Sequence, residues 1–191
     1  MPGRLIRLIV AAALALAASA LPGSSGAQTE DDDARLLLPA SELDGTWVVY
    51  QAPAGPTDAR SRGQAVTYLD SLDFSAPRYL QLSAATFDHE TLADAAVYDT
   101  AMNEQRQGLK ISPVSGVGDG RAYRSLLHGP ERSQAGLVLR VANVGLVVRI
   151  STTEALSEDD ANAAVDQVAQ QVQDWVHSVL DASSFARPGA S

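Results

Sequence analysis

No cysteine occurs anywhere in the 191-residue chain. That absence removes thiol nucleophiles, thiolate metal sites and redox pairs from consideration. The fold must also hold without disulfides, and no lipid-attachment cysteine follows the N-terminal apolar run. Lysine is scarce: Lys110 is the only one among 14 basic residues, against 23 acidic ones. The formal charge of -9 repels nucleic acid and anionic lipid, so neither is an expected partner. Nor is there a long hydrophobic run, since Leu8 to Ala20 falls short of the ~20 apolar residues that span a bilayer.

That short run does have the layout of a secretory signal. Arg4 and Arg7 precede it, and small residues offer cleavage after Ala20 or after Ala27. An uncleaved anchor is the alternative, opposed by the helix-breaking Pro22 and Gly23. The expected organisation is therefore a signal over 1–27, an acidic linker over 28–35, one domain over 36–182 and a frayed tail over 183–191. The expected location is secreted, extracellular or periplasmic, with no stable membrane anchor after cleavage. Loss of Arg4 and Arg7 lowers the formal charge from -9 to -11. The linker QTEDDDAR is too regularly acidic for a calcium loop, because consecutive aspartates lack the alternate spacing and glycine bend that an EF-hand requires.

Within the domain, Ser41 to Leu43 make at most one helical turn, ended by Asp44-Gly45, and Trp47 to Gln51 read as a short strand. PAGPTDARSRG, from Pro53 to Gly63, is a loop by composition. Arg78 to Phe87 alternate as a strand. A helix over 89–107 comes next, with Asp88 as its expected cap, Leu92, Ala95, Tyr98 and Met102 recurring at helical spacing, and Gly108 as its stop. Tyr123 to His128 form another strand. LVLRVANVGLVVRIST is a hairpin that sets Leu137, Leu139 and Val141 beside Leu146, Val148 and Ile150. Its other face mixes Val138 and Val147 with Arg140 and Arg149. A last helix opens on a Ser157–Asp160 capping box and carries one apolar stripe through Ala161, Val165, Val168, Val172, Trp175 and Val179. The expected fold is α+β: an antiparallel sheet of about five or six strands with two long helices packed on it.

The glycine-rich stretch SGVGDGRAY, Ser115 to Tyr123, invites a phosphate-binding reading. It fails on spacing, because Arg121 stands where a dinucleotide fingerprint needs its third glycine, and the next element is a strand instead of a helix. A tight turn remains. His89-Glu90 begins a zincin helix, but Ala93 stands where its second histidine belongs, and no nucleophile elbow or S-x-x-K pair occurs. Two groups of binding candidates are left. Arg124, Arg140 and Arg149 all fall on strands; on one face they make an anion-binding strip, and otherwise they pair with acids from a helix. Trp47 and Tyr50 beside the long loop form a second patch, with core packing as the alternative role for Trp47.

In order, LLLPASELDGTW, a strand, the helix with TLADAAVYDTAM, VGDGRAY, the hairpin and a long terminal helix resemble a group of small exported sensor-like and lipoprotein-like bacterial domains. The group includes the extracellular sensor domain of a mycobacterial serine/threonine kinase and envelope lipoproteins with the PsbP-like fold. The resemblance spans Leu36 to Leu180 and implies a non-enzymatic domain. The chain departs from it in lacking the lipid-attachment cysteine and the kinase sensor's disulfides, and no catalytic residue transfers. The expected function is an exported binding or accessory module without a cofactor. Its partner is a small molecule or an envelope protein, held between sheet, helix and the Pro53–Gly63 loop. The rival is a secreted hydrolase with a dispersed Ser/His/Asp site.

Overall fold

The computed structural model describes residues 16–17, 33–54, 61–70, 78–129, 133–153 and 156–185. The expected signal (all but Leu16–Ala17), most of the acidic linker and the tail beyond Phe185 lie outside these residues. The strands are β1 (Leu16–Ala17), β2 (Trp47–Ala54), β3 (Ser61–Arg62), β4 (Gln64–Asp70), β5 (Arg78–Thr86), β6 (Lys110–Val114), β7 (Ala122–His128), β8 (Ser133–Val141) and β9 (Val144–Thr152). Among the described residues two long helices join them, α1 (Glu90–Arg106) and α2 (Glu158–Phe185), besides a single 3-10 turn at Ala40–Glu42. Seven strands form one antiparallel sheet in the order β2-β4-β5-β9-β8-β7-β6. The short β1 and β3 pair separately.

Seven strands exceed the expected five or six. The two that the sequence hides are β4, which follows Gly63 with only Val66 and Tyr68 as strong markers, and β6, whose KISPV contains a proline. Pro113 is tolerated because β6 is an edge strand, where one side of the backbone has no ladder bond to donate. The other edge, β2, carries Pro53.

The hairpin forms in the expected register: Leu137 faces Val148, Leu139 faces Leu146 and Val141 faces Val144 around the two-residue turn Ala142–Asn143. β-Branched runs suit these strands because their side chains pack well on a pleated surface. Side chains alternate between the two faces. Leu80, Leu82, Leu137, Leu139, Leu146 and Val148 point to one side, where Val165, Val168, Ala169, Val172 and Val176 of α2 meet them. Each such fully buried aliphatic side chain stabilises the fold by roughly 1.5–3 kcal/mol. The opposite side carries Ala85, Val138 and Val147 and receives Ala93, Ala96 and Val97 of α1. The sheet is thus sandwiched between its helices.

α2 opens as expected, with the Asp160 amide donating to Ser157 Oγ at 3.1 Å and the Ser157 hydroxyl donating to the Asp160 carboxylate at 2.6 Å. It continues to Phe185, past the expected end near Leu180. α1 differs more. His89 rather than Asp88 occupies its N-cap, with no side-chain bond to the first turn. Leu92 and Tyr98 are 38% and 42% exposed, while Thr100, Ala101 and Glu104 lie on the buried side. Small and polar residues together with Val97 therefore face the sheet, while Leu92 and Tyr98 face outward. Among the described residues, no helix is long and apolar enough to cross a membrane.

The N-terminal segment is tied in by polar contacts as well as leucines. Asp33 accepts from the Thr86 amide at 3.1 Å and the Thr86 hydroxyl at 2.6 Å, which ties this segment to the end of β5. Leu36, Leu37 and Leu38 are buried, and Tyr68 donates its hydroxyl to the Leu38 carbonyl. Burial pushes the Tyr68 phenol up to about 12. A phenol raised from its ordinary value of ~10 favours the neutral form, so its stabilising effect is full below pH ~10 and is lost as pH rises towards 12. Urea unfolding across that window is expected to show the stability gap between wild type and Tyr68→Phe shrinking with rising pH. A constant gap would contradict the buried, neutral phenol.

Candidate functional site

The three strand arginines do not form one strip. Arg124 is the register partner of Leu137 and lies on the α2 side, where it pairs with Asp166 of α2 at 2.7 Å. Arg140 and Arg149 lie on the α1 side, each matched by acids of that helix. Arg140 reaches Glu90 at 3.1 Å and Asp94 at 3.0 Å, and Arg149 pairs with Glu104, which is fully buried. Partnered in this way, the arginines fasten helices to the sheet.

Arg140 also explains the glycine-rich turn. Its guanidinium donates to the Asp119 carbonyl at 2.7 Å and to the Ala142 carbonyl at 2.6 Å. The Asp119 amide donates to the Arg140 carbonyl at 2.8 Å. Gly118 has φ +69, and a Cβ there would sit 2.4 Å from the Arg140 carbonyl oxygen. At Gly120 a Cβ would meet the guanidinium at 2.2 Å. The stretch is a turn whose glycines let backbone and arginine approach closely. Asp119 also holds the hairpin turn, accepting from the Ala142 amide at 2.7 Å where Ala142 adopts φ +49.

On the α1 face, register lines up one row of side chains across the sheet: Ser125, Gly136, Arg149, Gln81, Thr67 and Gln51. Every member is polar or glycine. Arg149 donates to Gln81 at 2.9 Å and Thr67 to Gln51 at 3.3 Å. The half beneath α1 is closed, and there the Glu104 Oε2, Arg149 Nε, Thr100 and Ser125 side-chain atoms are buried without a hydrogen-bond partner, as is the Ser83 hydroxyl on the adjoining β5. Such atoms are rare in folded proteins, because burying an unpaired polar group costs free energy. Gly136 gives room to Ser125, whose hydroxyl would lie 2.8 Å from any Cβ added there.

The other half of this face is less covered. α1 lies over β6 to β9 and also meets β1, whose partner β3 leads through Gly63 into β4. Among the described residues no helix covers β2, β4 and β5 on that side. Towards its Ala84–Ala85 end this face of β5 is closed, with Ser83 and Ala85 buried and Gly63 against Ala84. β2 changes register between Val49 and Gln51. At such a bulge two consecutive residues oppose one partner and the strand is re-aimed. Gln51 accordingly meets Thr67, while the Tyr50 ring stands edge-on to Tyr79 at 5.6 Å between centroids. Tyr50 and Val48 are 49% and 46% exposed. The Tyr79 phenol is raised, first by its own burial and then by Tyr50, so its hydroxyl stays neutral and able to donate.

Trp47 does not join this patch. It packs against the core on the α2 side and donates its indole N–H to the Asp44 carbonyl at 3.2 Å. Tyr79, Gln81, Thr67 and Leu69 are not disclosed by the sequence, because nothing in it marks β4 as the strand between β2 and β5. The polar Gln81 and Ser83 on either side of Leu82 in β5 are the one signal it offers. The histidines stand apart: His89 at the start of α1, His128 at the end of β7, and His177 on α2, 3.8 Å from Asp119. No protein-family model and no curated protein matches the chain.

Two stability measurements check these roles. Gly118→Ala is expected to cost at least about 2 kcal/mol, since left-handed backbone strain and a carbonyl clash add. A cost below ~0.5 kcal/mol would dismiss the close approach of Gly118 to the Arg140 carbonyl. Glu104→Leu alone is expected to cost roughly 3–5 kcal/mol by stranding Arg149, with most of that recovered in Glu104→Leu/Arg149→Met. Additive losses in the double variant would contradict a coupled pair.

Proposed function

We propose that the chain is an exported binding module and that the uncovered β2–β4–β5 part of the α1 face is its site. Export is supported by Arg4, Arg7, the apolar run and the small residues after it. The observation that carries the site is the bulge in β2. It turns Tyr50 and Gln51 together onto the face that already bears Tyr79, Gln81 and Thr67. An edge strand spends ladder regularity here to place an aromatic ring and an amide side by side, and bulges commonly serve to re-aim side chains at sites. The flanking wall is α1, held to β8 and β9 by ion pairs at Arg140 and Arg149.

The chemistry offered is recognition: aromatic surface, two amides and hydroxyls. A thermal-shift screen of the full chain against a small-metabolite library tests it. At a hundredfold excess over Kd, a ligand is expected to raise the wild-type melting temperature by about 5–10 °C. The shift should disappear in Tyr50→Ala/Tyr79→Ala. Compounds that stabilise wild type and variant equally would move binding elsewhere and retire this site.

A further inference from the structure

Two rows of side chains run side by side across the open floor, and they differ in kind. Val48, Leu69 and Tyr79 are successive register partners and form an apolar row, joined by the edge-on Tyr50. Gln51, Thr67 and Gln81 form a neutral polar row beside it. With strands ~4.8 Å apart and same-face residues ~6.8 Å apart along each strand, the two rows make a strip roughly 10 Å long. A ligand that fits must pair an apolar, flat surface with a rim of hydrogen-bonding groups.

Charge narrows the class. The seven floor side chains are uncharged, Arg149 at the inner end is matched by Glu104, and the chain carries -9 overall. An anion gains nothing here and is repelled at a distance. Each glutamine offers both a donor and an acceptor, which suits a hydroxyl that must do both. At the inner end, on the same face, Ser83 Oγ and Arg149 Nε are buried with no partner. They neighbour Gln81 along β5 and across to β9.

We propose that the ligand of this face is a neutral saccharide. Its C–H ring face would lie on the Tyr79–Tyr50 row and its hydroxyls along Gln51, Thr67 and Gln81. This rests on the reading of the open floor as a binding site. A sugar ring has the required amphipathic form, with apolar C–H faces and a polar edge, and β2 to β5 is wide enough for a disaccharide.

Isothermal titration of the full chain with chitotetraose, maltotetraose, tetragalacturonate and a blocked alanine tetrapeptide tests it. At least one neutral oligosaccharide is expected to bind. Its affinity should fall about tenfold or more in Tyr79→Ala and in Gln51→Ala. It should be unchanged in Tyr98→Ala, which removes an exposed tyrosine on α1. Tetragalacturonate binding as tightly as the neutral sugars would overturn the argument from charge. Preferential binding of the tetrapeptide would assign the floor to peptides instead. If none of the sugars binds while metabolites from the screen still depend on Tyr50 and Tyr79, the saccharide assignment fails and the binding site stands. If neither experiment finds dependence on those tyrosines, both fall.

Discussion

The pairing of β5 with β9 is the contact on which the remaining architecture depends. It runs without interruption from Arg78–Thr152 to Thr86–Val144 and joins two parts of the chain that are distant in sequence. On one side of it lies the β2–β4–β5 unit, and on the other the β6–β7–β8–β9 meander. Because side chains alternate with period two, this register decides which residues each face receives. A slip of one residue would send Leu80 and Leu82 towards α1 and turn Gln81 into the aliphatic interior under α2. Burial of six leucines and valines on the correct side makes such a slip costly.

The two faces are held by different forces. Under α2, aliphatic side chains interdigitate, and the contact is the non-directional burial of apolar surface. Under α1, the contact is thin in apolar area, consisting mostly of alanines and valines, and is completed by Arg140 and Arg149 reaching acids on the helix. A buried ion pair adds little net stability after desolvation, yet it is demanding about geometry. α1 is therefore positioned over β6 to β9, and the polar row that passes beneath it emerges on the far side where, among the described residues, no helix lies over it.

Much of the fold is legible in the residues, and the legible parts share a cause. The β8–β9 hairpin and α2 have long, one-sided apolar periods, and both form with the expected register or stripe. β4 and β6 are hidden because their patterns are short, and β6 contains Pro113. The face of α1 misleads because Glu104 and Thr100 are buried by tertiary contacts, while Tyr98 stays outside against Tyr123 and Arg121. The candidate site is legible only at Tyr50. Its sidedness depends on a bulge, and the glutamines and Tyr79 become neighbours only through register between separate strands. The pairing of arginines with acids is one of two readings open from composition. Geometry decides it, since Arg124 looks the opposite way from Arg140 and Arg149.

Pro53 and Pro113 occupy the two outermost strands, and the first of these strands is also bulged. A sheet ending in regular, unpaired amides can template the addition of another molecule and so seed fibre growth. Each proline lacks a backbone amide, and the bulge at Tyr50 spoils the regular template that a neighbouring strand would need. For a chain with no covalent cross-links to restrain partial opening, these two margins act as terminators. The same distortion that re-aims Tyr50 and Gln51 also works against strand addition at that edge.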